Sequence, residues 1–448
     1  MERTSFLAWS LAGMAALALF LAPAIWNGFP FVFYDSADYI DAAFSLRMPP
    51  FRLLPYAFLV GLGRLAGSPW AVVLFQCLTV LLVLALLARL AEPSNAPKRF
   101  LLVAIGAALL TTAPWYAGLL MPDAFSGAAI LSASLVLAGW NKLGRAKYLA
   151  LALAPLAGMV HATHLMILAG LSLIGLLLWA CRQVPRNAAL ALSTATLAAW
   201  LAVPGLHALT QGEWTYNRGS SVFLLARLVS GGLVQQELPR LCAEKPYLIC
   251  AMQDRLYGDE NDFLWGHGGV FFGRAGDIET WIAEAPVLMK ETLKTHPLES
   301  ASFVLETAAR QFFAFGPGDV FDPMAFHMRH AIQARWPEQV AALENARQQH
   351  GWTAAKSWLQ SVGTISMTIG LAGLGLIFVL ASTRKERLPA LLSGLVLAGL
   401  IGNALACGGL SSLADRYQAR VEWLGLAVTL ANVTWLRLRI YSRRRSAD

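Results

Sequence analysis

Long apolar runs separated by short polar stretches set the pattern of this chain. Mostly apolar windows recur at 6–26, 70–87, 100–115, 124–140, 148–160, 165–181, 188–207, 358–381, 388–407 and 421–436. A helix of about 20 apolar residues crosses the hydrocarbon core of a bilayer, so the pattern predicts an all-α polytopic membrane protein with about ten transmembrane helices. The third and fifth windows are short for a crossing. The run 56–65 is shorter still and reads as an interfacial helix leading into the second span. Between the seventh and eighth spans lies the long polar segment 208–357. Apolar residues at helical spacing in 222–238, 278–293, 301–315 and 340–358 predict that it is mainly helical. The Gly- and Asp-rich stretch 254–277 reads as a structured loop, and there is no strand-rich pattern or internal repeat. The expected units are therefore 1–207, a seven-helix membrane module; 208–357, a helical domain; and 358–448, a three-helix membrane module with a basic tail.

Composition agrees with this reading. Of 448 residues 57% are hydrophobic and only 14% charged, far less charge than a soluble chain carries. The net charge of +8 does not come from a basic tract in mid-chain, so nucleic acid is not an expected partner. It comes from short loops and the tail: Arg89, Lys98 and Arg99; Lys142, Arg145 and Lys147; Arg182 and Arg186; Arg384, Lys385 and Arg387; then Arg437, Arg439 and Arg443 to Arg445. With ten spans all of these fall on one side, together with Arg3. The positive-inside rule makes that side cytoplasmic, with both termini inside. An alternative for the start of the chain is a cleaved signal peptide ending near Ala22-Pro23-Ala24. The apolar run is long for a signal, and the span count needs it. The acidic loop 33–41 and the segment 208–357, with 13 Lys and Arg against 17 Asp and Glu, then face outward. Two of the five cysteines, Cys242 and Cys250, lie in that outer segment with seven residues between them. In an oxidising compartment they are expected to pair; two free buried thiols are the alternative.

Candidate chemistry gathers in the outer loops. Asp35, Asp38 and Asp41 follow the first span three residues apart, a spacing that aligns them on one face if the loop is helical. Like charges there should leave at least one carboxyl paired, desolvated or raised in pKa. Such a group suits a general base or a divalent-cation ligand; the plain alternative is that Asp35 or Ser36 caps a helix. Arg47 and Arg52 flank Met48-Pro49-Pro50 and suit a bidentate phosphate clamp, or simply hold lipid headgroups. Asp123 is either an N-cap for the fourth span or a second acidic contribution to a site. His161 and His164 have no third ligand nearby in sequence, which weakens a metal reading; they suit contacts to phosphate or sugar, or a polar core. Arg416 is a further phosphate candidate, with an ion pair to Asp415 or Glu422 as its alternative. Asp319, Asp322 and His327 carry less information, and the aromatic run 312–326 suits a membrane surface. There is no nucleotide-binding glycine loop and no G-x-S-x-G elbow, which lowers ATP-driven transport and serine hydrolysis.

This layout resembles the C-type glycosyltransferases, polytopic enzymes that use polyprenyl-phosphate sugars. The resemblance rests on the early outer aspartate in Tyr34-Asp35-Ser36-Ala37-Asp38-Tyr39 and on the Pro-rich Met48-Pro49-Pro50-Phe51-Arg52-Leu53-Leu54-Pro55. It rests also on the short helix before Leu65-Ala66-Gly67-Ser68-Pro69-Trp70, and on the large outer segment after the seventh span. It covers about the first 210 residues in pattern and the rest in layout only. It implies an inverting glycosyltransferase at the outer face of a bacterial inner membrane. Asp35, then Asp38, would be the catalytic carboxylate, and Arg47, Arg52, Asp123, His161, His164 and Arg416 would contact substrate. The implied partners are a polyprenyl-phosphate-linked sugar, an acceptor of glycan, lipid or protein type, and membrane lipids. No cofactor is required; a divalent cation is used by many members and not by others. A lipid-linked glycan flippase and a non-catalytic assembly protein are the competing classes. A flippase would carry charges within its spans, and these spans carry almost none.

Overall fold

The computed structural model describes residues 3–47, 51–256, 258–266, 269–270 and 277–437. Met48-Pro49-Pro50, part of the Gly- and Asp-rich stretch, and the arginines of the tail beyond Arg437 lie outside the described residues. Helices make up the architecture, and among the described residues the one strand-like feature is an isolated parallel bridge between Phe31 and Leu119. In chain order the first ten are α1 (Arg3–Asn27), α2 (Tyr34–Ser45), α3 (Leu54–Ala66), α4 (Trp70–Ala91), α5 (Ala96–Leu110), α6 (Ala113–Ala117), α7 (Ala124–Gly139), α8 (Ala146–Met159), α9 (Ala162–Ala180) and α10 (Arg186–Gln211). The outer segment adds α11 (Ser220–Ser230), α12 (Leu233–Glu244), α13 (Glu260–Trp265), α14 (Ile278–Thr295), α15 (Pro297–Phe312), α16 (Ala325–Arg335) and α17 (Val340–Glu344). The last four are α18 (Thr353–Thr383), α19 (Arg387–Ala404), α20 (Arg416–Ala419) and α21 (Trp423–Ala431).

Among the described residues six helices are long and apolar enough to cross a membrane: Phe6–Asn27, Trp70–Ala91, Ala162–Ala180, Arg186–Gln211, Ala355–Thr383 and Arg387–Gly409. Six of the expected ten windows thus form full-length helices, and the others are shorter for visible reasons. The run 100–115 is not one helix. Pro114 has no N–H to continue α5, the chain turns extended at Thr111 (φ −142°, ψ 172°), and α6 starts anew. In α7 every residue except Ala138 is buried, so this 16-residue helix runs inside the bundle and need not match the lipid. The run 421–436 is interrupted by a turn at Asn432. Small residues let the bundle close: α18 meets α21 at Gly370 and Gly425, where an added Cβ on either would lie 2.8 or 2.9 Å from the facing backbone.

The ends of the bundle differ in chemistry. At one end Gln183, Lys385 and Arg387 border a single groove, Trp435 donates to Glu386, and Arg99 binds Glu92, Thr434 and the Leu430 carbonyl. The basic loops of the sequence thus gather there. At the other end stand Asp123, Thr163, Asn403 and Arg420. Helices α9 and α19, of 19 and 18 residues, join the two ends and rise about 28 and 27 Å, close to a bilayer's hydrocarbon thickness.

The outer segment is not one packing unit. Helices α11 to α14 enclose their own core, which includes Val222, Leu225, Phe263, Trp281 and Leu288, and Cys242 and Cys250 are joined by a disulfide beside it. The helical run expected over 222–238 breaks at Gly231-Gly232, where Gly232 takes φ +71°, a value glycine adopts freely. Residues 320–352 instead share the core of the membrane helices through Phe321, Met328, Trp336 and Leu343. Gln348 ties this part down: its amide accepts from Val32 N–H at 3.1 Å and donates to the Val32 carbonyl at 2.7 Å. Of the aromatic run 312–326, Phe321 joins a buried cluster with Phe31, Trp115 and Trp352, while Phe313 and Phe326 are exposed. Asp322 pairs with Lys356, and the His327 ring stands 4.7 Å from that of Tyr34.

Candidate functional site

The acidic loop is helical. Phe33 ends an extended turn, and Ser36 Oγ accepts the Phe33 N–H at 2.9 Å while donating to the Leu120 carbonyl at 2.9 Å. Ser36 therefore anchors the start of α2, and Asp35 is left to other work. The three-residue spacing spreads the carboxylates along α2, each with a cation. Asp35 Oδ1 pairs with Arg52; Asp38 Oδ2 lies 3.9 Å from Arg52 Nε; Asp41 pairs with Arg335 of α16 at 3.5 Å. Exposure separates them: the Asp35 side chain is 18% exposed, while Asp38 and Asp41 are about half exposed. Burial pushes the Asp38 carboxyl above its ordinary 3.8; Arg52 pulls it back, and Asp35 and Asp41 add to the push. Its half-exposed side chain lets solvent soften that effect.

Asp123 occupies the N-cap position of α7, yet its side chain makes no cap hydrogen bond. It accepts instead from Arg420 at 3.2 Å, in a pair whose side chains are 4% and 1% exposed. Arg420 is held further by Asn403 Oδ1 at 3.2 Å, Thr163 Oγ1 at 3.3 Å and Cys407 Sγ at 3.2 Å. Cys407 belongs to a π-helical turn, Leu405–Gly409, that ends α19; such turns re-aim side chains within a helix. Nothing in the spacing of Arg420 marks it out, and the sequence reading passes it over in favour of Arg416. A buried arginine four residues after another, near a lone aspartate on a distant helix, becomes visible only when α7 and α20 meet.

Arg416 lies with its guanidinium 4.1 Å from the Phe33 ring centroid and donates to the Tyr417 hydroxyl at 3.3 Å. Burial lowers its basicity, but Tyr417, Asp123 and Asp35 together outweigh burial and hold it above its ordinary value. One field therefore joins the loop after α1, the start of α7 and the loop before α21. Neither Asp415 nor Glu422 is its hydrogen-bonded partner; Glu422 accepts from the N–H and hydroxyl of Thr112.

His161 caps α9, its Nδ1 accepting the Thr163 N–H at 3.3 Å, so the pair stands at the start of α9. The His164 ring lies 5.1 Å from that of His161 and its Nδ1 meets the Ala157 carbonyl at 3.1 Å. Burial, then Arg420 and Arg52, hold His161 down to about 3, so the ring is neutral at neutral pH. Among the described residues no group of three or more His, Cys, Asp and Glu side chains is placed to hold a metal ion. Arg47 is exposed, and its backbone N–H donates to Ser45 Oγ; among the described residues it forms no ion pair. The structure thus gathers Asp35, Asp38, Arg52, Asp123, His161, His164 and Arg416, adds Arg420, and leaves Arg47 on the surface.

Several buried donors here find no hydrogen-bond partner among the described residues: Arg52 Nε, Arg416 Nη1, Arg420 Nε and Tyr116 Oη, with His164 Nε2 beside them. A buried polar group without a partner costs about 1–3 kcal/mol, more when charged, so five in one place mark a region suited to an anionic or hydroxyl-rich guest.

Comparison with protein-family models, with curated proteins and with solved structures found no match.

Proposed function

We propose that this chain is an inverting glycosyltransferase that moves a sugar from a polyprenyl-phosphate donor to an acceptor hydroxyl at the outer face of a bacterial inner membrane. The observation that carries the reading is the set of unpartnered buried donors on Arg52, Arg416, Arg420 and Tyr116, of which Arg52 pairs with the Asp35 carboxylate and Arg420 with Asp123. Phosphate takes parallel hydrogen bonds from guanidinium groups, and cations near the leaving oxygen stabilise the charge that grows there.

In this reading Asp35 accepts the proton of the acceptor hydroxyl. The acceptor oxygen bonds to the anomeric carbon on the face opposite the lipid phosphate. The bond from that carbon to the phosphate oxygen breaks, and its electron pair leaves with the phosphate. Arg52 orients Asp35 through Oδ1, and Oδ2 makes no hydrogen bond among the described residues. Phosphate is a good leaving group, so no strong general acid is required, and a positioned base contributes about 10²–10⁴ in rate. The basic loops gathered at the opposite end support an outward-facing site under the positive-inside rule.

The test uses polyprenyl monophosphate as probe. It is expected to raise the thermal unfolding midpoint of the purified protein, and the shift is expected to vanish in Arg416→Gln. A panel of polyprenyl-phosphate hexoses and pentoses should then release polyprenyl phosphate in wild type and not in Asp35→Asn. Equal stabilisation of wild type and Arg416→Gln, together with no release from any donor, would sink the proposal.

A further inference from the structure

The groove at the basic end, far from the candidate site, has a volume of about 600 Å³ and lies between α9, α18 and α19. It is lined by the apolar Phe378, Leu391 and Gly394 and by Lys385, Arg387, Gln183 and Glu386, whose carboxylate accepts from Trp435. Lys385 and Arg387 are exposed, and neither forms an ion pair among the described residues. The rim has a second peculiarity. Only three non-glycine residues among those described take a positive φ, and two of them end the helices that wall this groove: Arg182 at +57° after α9 and Lys385 at +58° after α18. The turns are closed in the same way, by Gln183 N–H to the Leu178 carbonyl at 2.7 Å and Glu386 N–H to the Ala381 carbonyl at 2.8 Å. Glycine usually fills this position because it adopts the left-handed conformation without cost. A long cationic side chain in both places keeps charge where a purely structural cap would shed it.

We infer that this groove binds an anionic phospholipid of the adjacent leaflet, with its phosphate on Lys385 and Arg387 and an acyl chain along Phe378, Leu391 and Gly394. The occupant follows from charge and composition together: a largely apolar groove between three helices long enough to span, bordered by two cations without an ion pair among the described residues and by one carboxylate, Glu386, already engaged by Trp435. The site is independent of the transferase reading.

The test is native mass spectrometry of the detergent-purified full chain with added phosphatidylglycerol or phosphatidylcholine. Wild type should retain one phosphatidylglycerol and no phosphatidylcholine. Each cation near a headgroup is worth about a fivefold change, so Lys385→Gln with Arg387→Gln should weaken retention about 25-fold. Gly394→Leu, which leaves both charges in place but pushes aside the Phe378 ring, 3.2 Å from where a Cβ would stand, should also lose the lipid. Unfolding midpoints in zwitterionic micelles check that each variant is folded, and Lys385→Gly should raise the midpoint by relieving the left-handed turn while lowering lipid retention. Equal retention of the two lipids, or phosphatidylglycerol binding unchanged in the double variant or in Gly394→Leu, would overturn the inference. So would displacement of the lipid by inorganic phosphate alone, which would make this a free-anion site.

Discussion

Two ion pairs face the candidate site, and they are built differently. Asp123–Arg420 is sealed, with side chains 4% and 1% exposed and three more contacts on the guanidinium from Thr163, Asn403 and Cys407. Asp35–Arg52 is partly open, at 18% and 14%, on a short helix that is not a membrane span. A sealed pair repays its desolvation only when both partners are present. An open pair can trade a partner for a guest. The first therefore joins α7 to the loop before α21 and leaves only Arg420 Nε free toward the site, while in the proposed reading the second carries the chemistry.

The sharpest way to break this comparison is to remove one partner of each. Arg420→Ala leaves a buried carboxylate uncompensated and should cost about 3–5 kcal/mol, measured as a large fall in the unfolding midpoint or as failure to purify a folded protein. Arg52→Ala should cost much less stability. If the two variants unfold alike, the division into sealed and open pairs does not hold.

Next comes Asp35→Asn, which keeps shape and removes the proposed base. Transfer should drop about 10²–10⁴-fold while the midpoint changes little. A variant that retains full activity would end the role of Asp35, and a variant that fails to fold would move its pair into the architectural class with Asp123.

How far these distinctions show in the sequence depends on how local they are. The six long apolar helices follow from composition within one window. The acidic face of α2 follows from a three-residue spacing, and the Cys242–Cys250 pairing from two residues close in sequence in a polar segment. What was hidden depends on partners far along the chain. Asp123 reads equally well as a cap because its real partner lies 297 residues away. Arg420 carries no local signal at all. The count of ten spans finds six helices of full length, and α7 is short because it is sealed by protein, which hydropathy cannot tell from a helix bathed in lipid. The outer segment was read as one unit, yet residues 320–352 pack on α1 and α2, since helical periodicity shows that a face is buried and not against what.

The core of α11 to α14 offers a control through a bond that touches neither of the two site pairs. Cys242→Ser opens a small loop, and the loop-closure relation gives a loss of about 2–3 kcal/mol. That loss should fall on α11 to α14, seen by hydrogen exchange, and spare the site helices. Before reduction neither Cys242 nor Cys250 should react with an alkylating reagent. Rapid labelling of both in native protein without reductant would rule the bond out.

Asp38 gives the smallest and most diagnostic effect. Its carboxyl is held above 3.8 in the folded protein, so the fold binds its proton more tightly than the unfolded chain does. A raised carboxyl contributes stability below its unfolded pKa and loses it as pH rises through the folded value. At neutral pH the charged form therefore weighs slightly against folding. Asp38→Asn should raise the unfolding midpoint a little at pH 7, and the gain should fade as the pH is lowered toward about 4. A gain that persists in acid would mean that packing, not charge, sets the Asp38 environment, and the open rim would then be less of an electrostatic device than its pairing with Arg52 indicates.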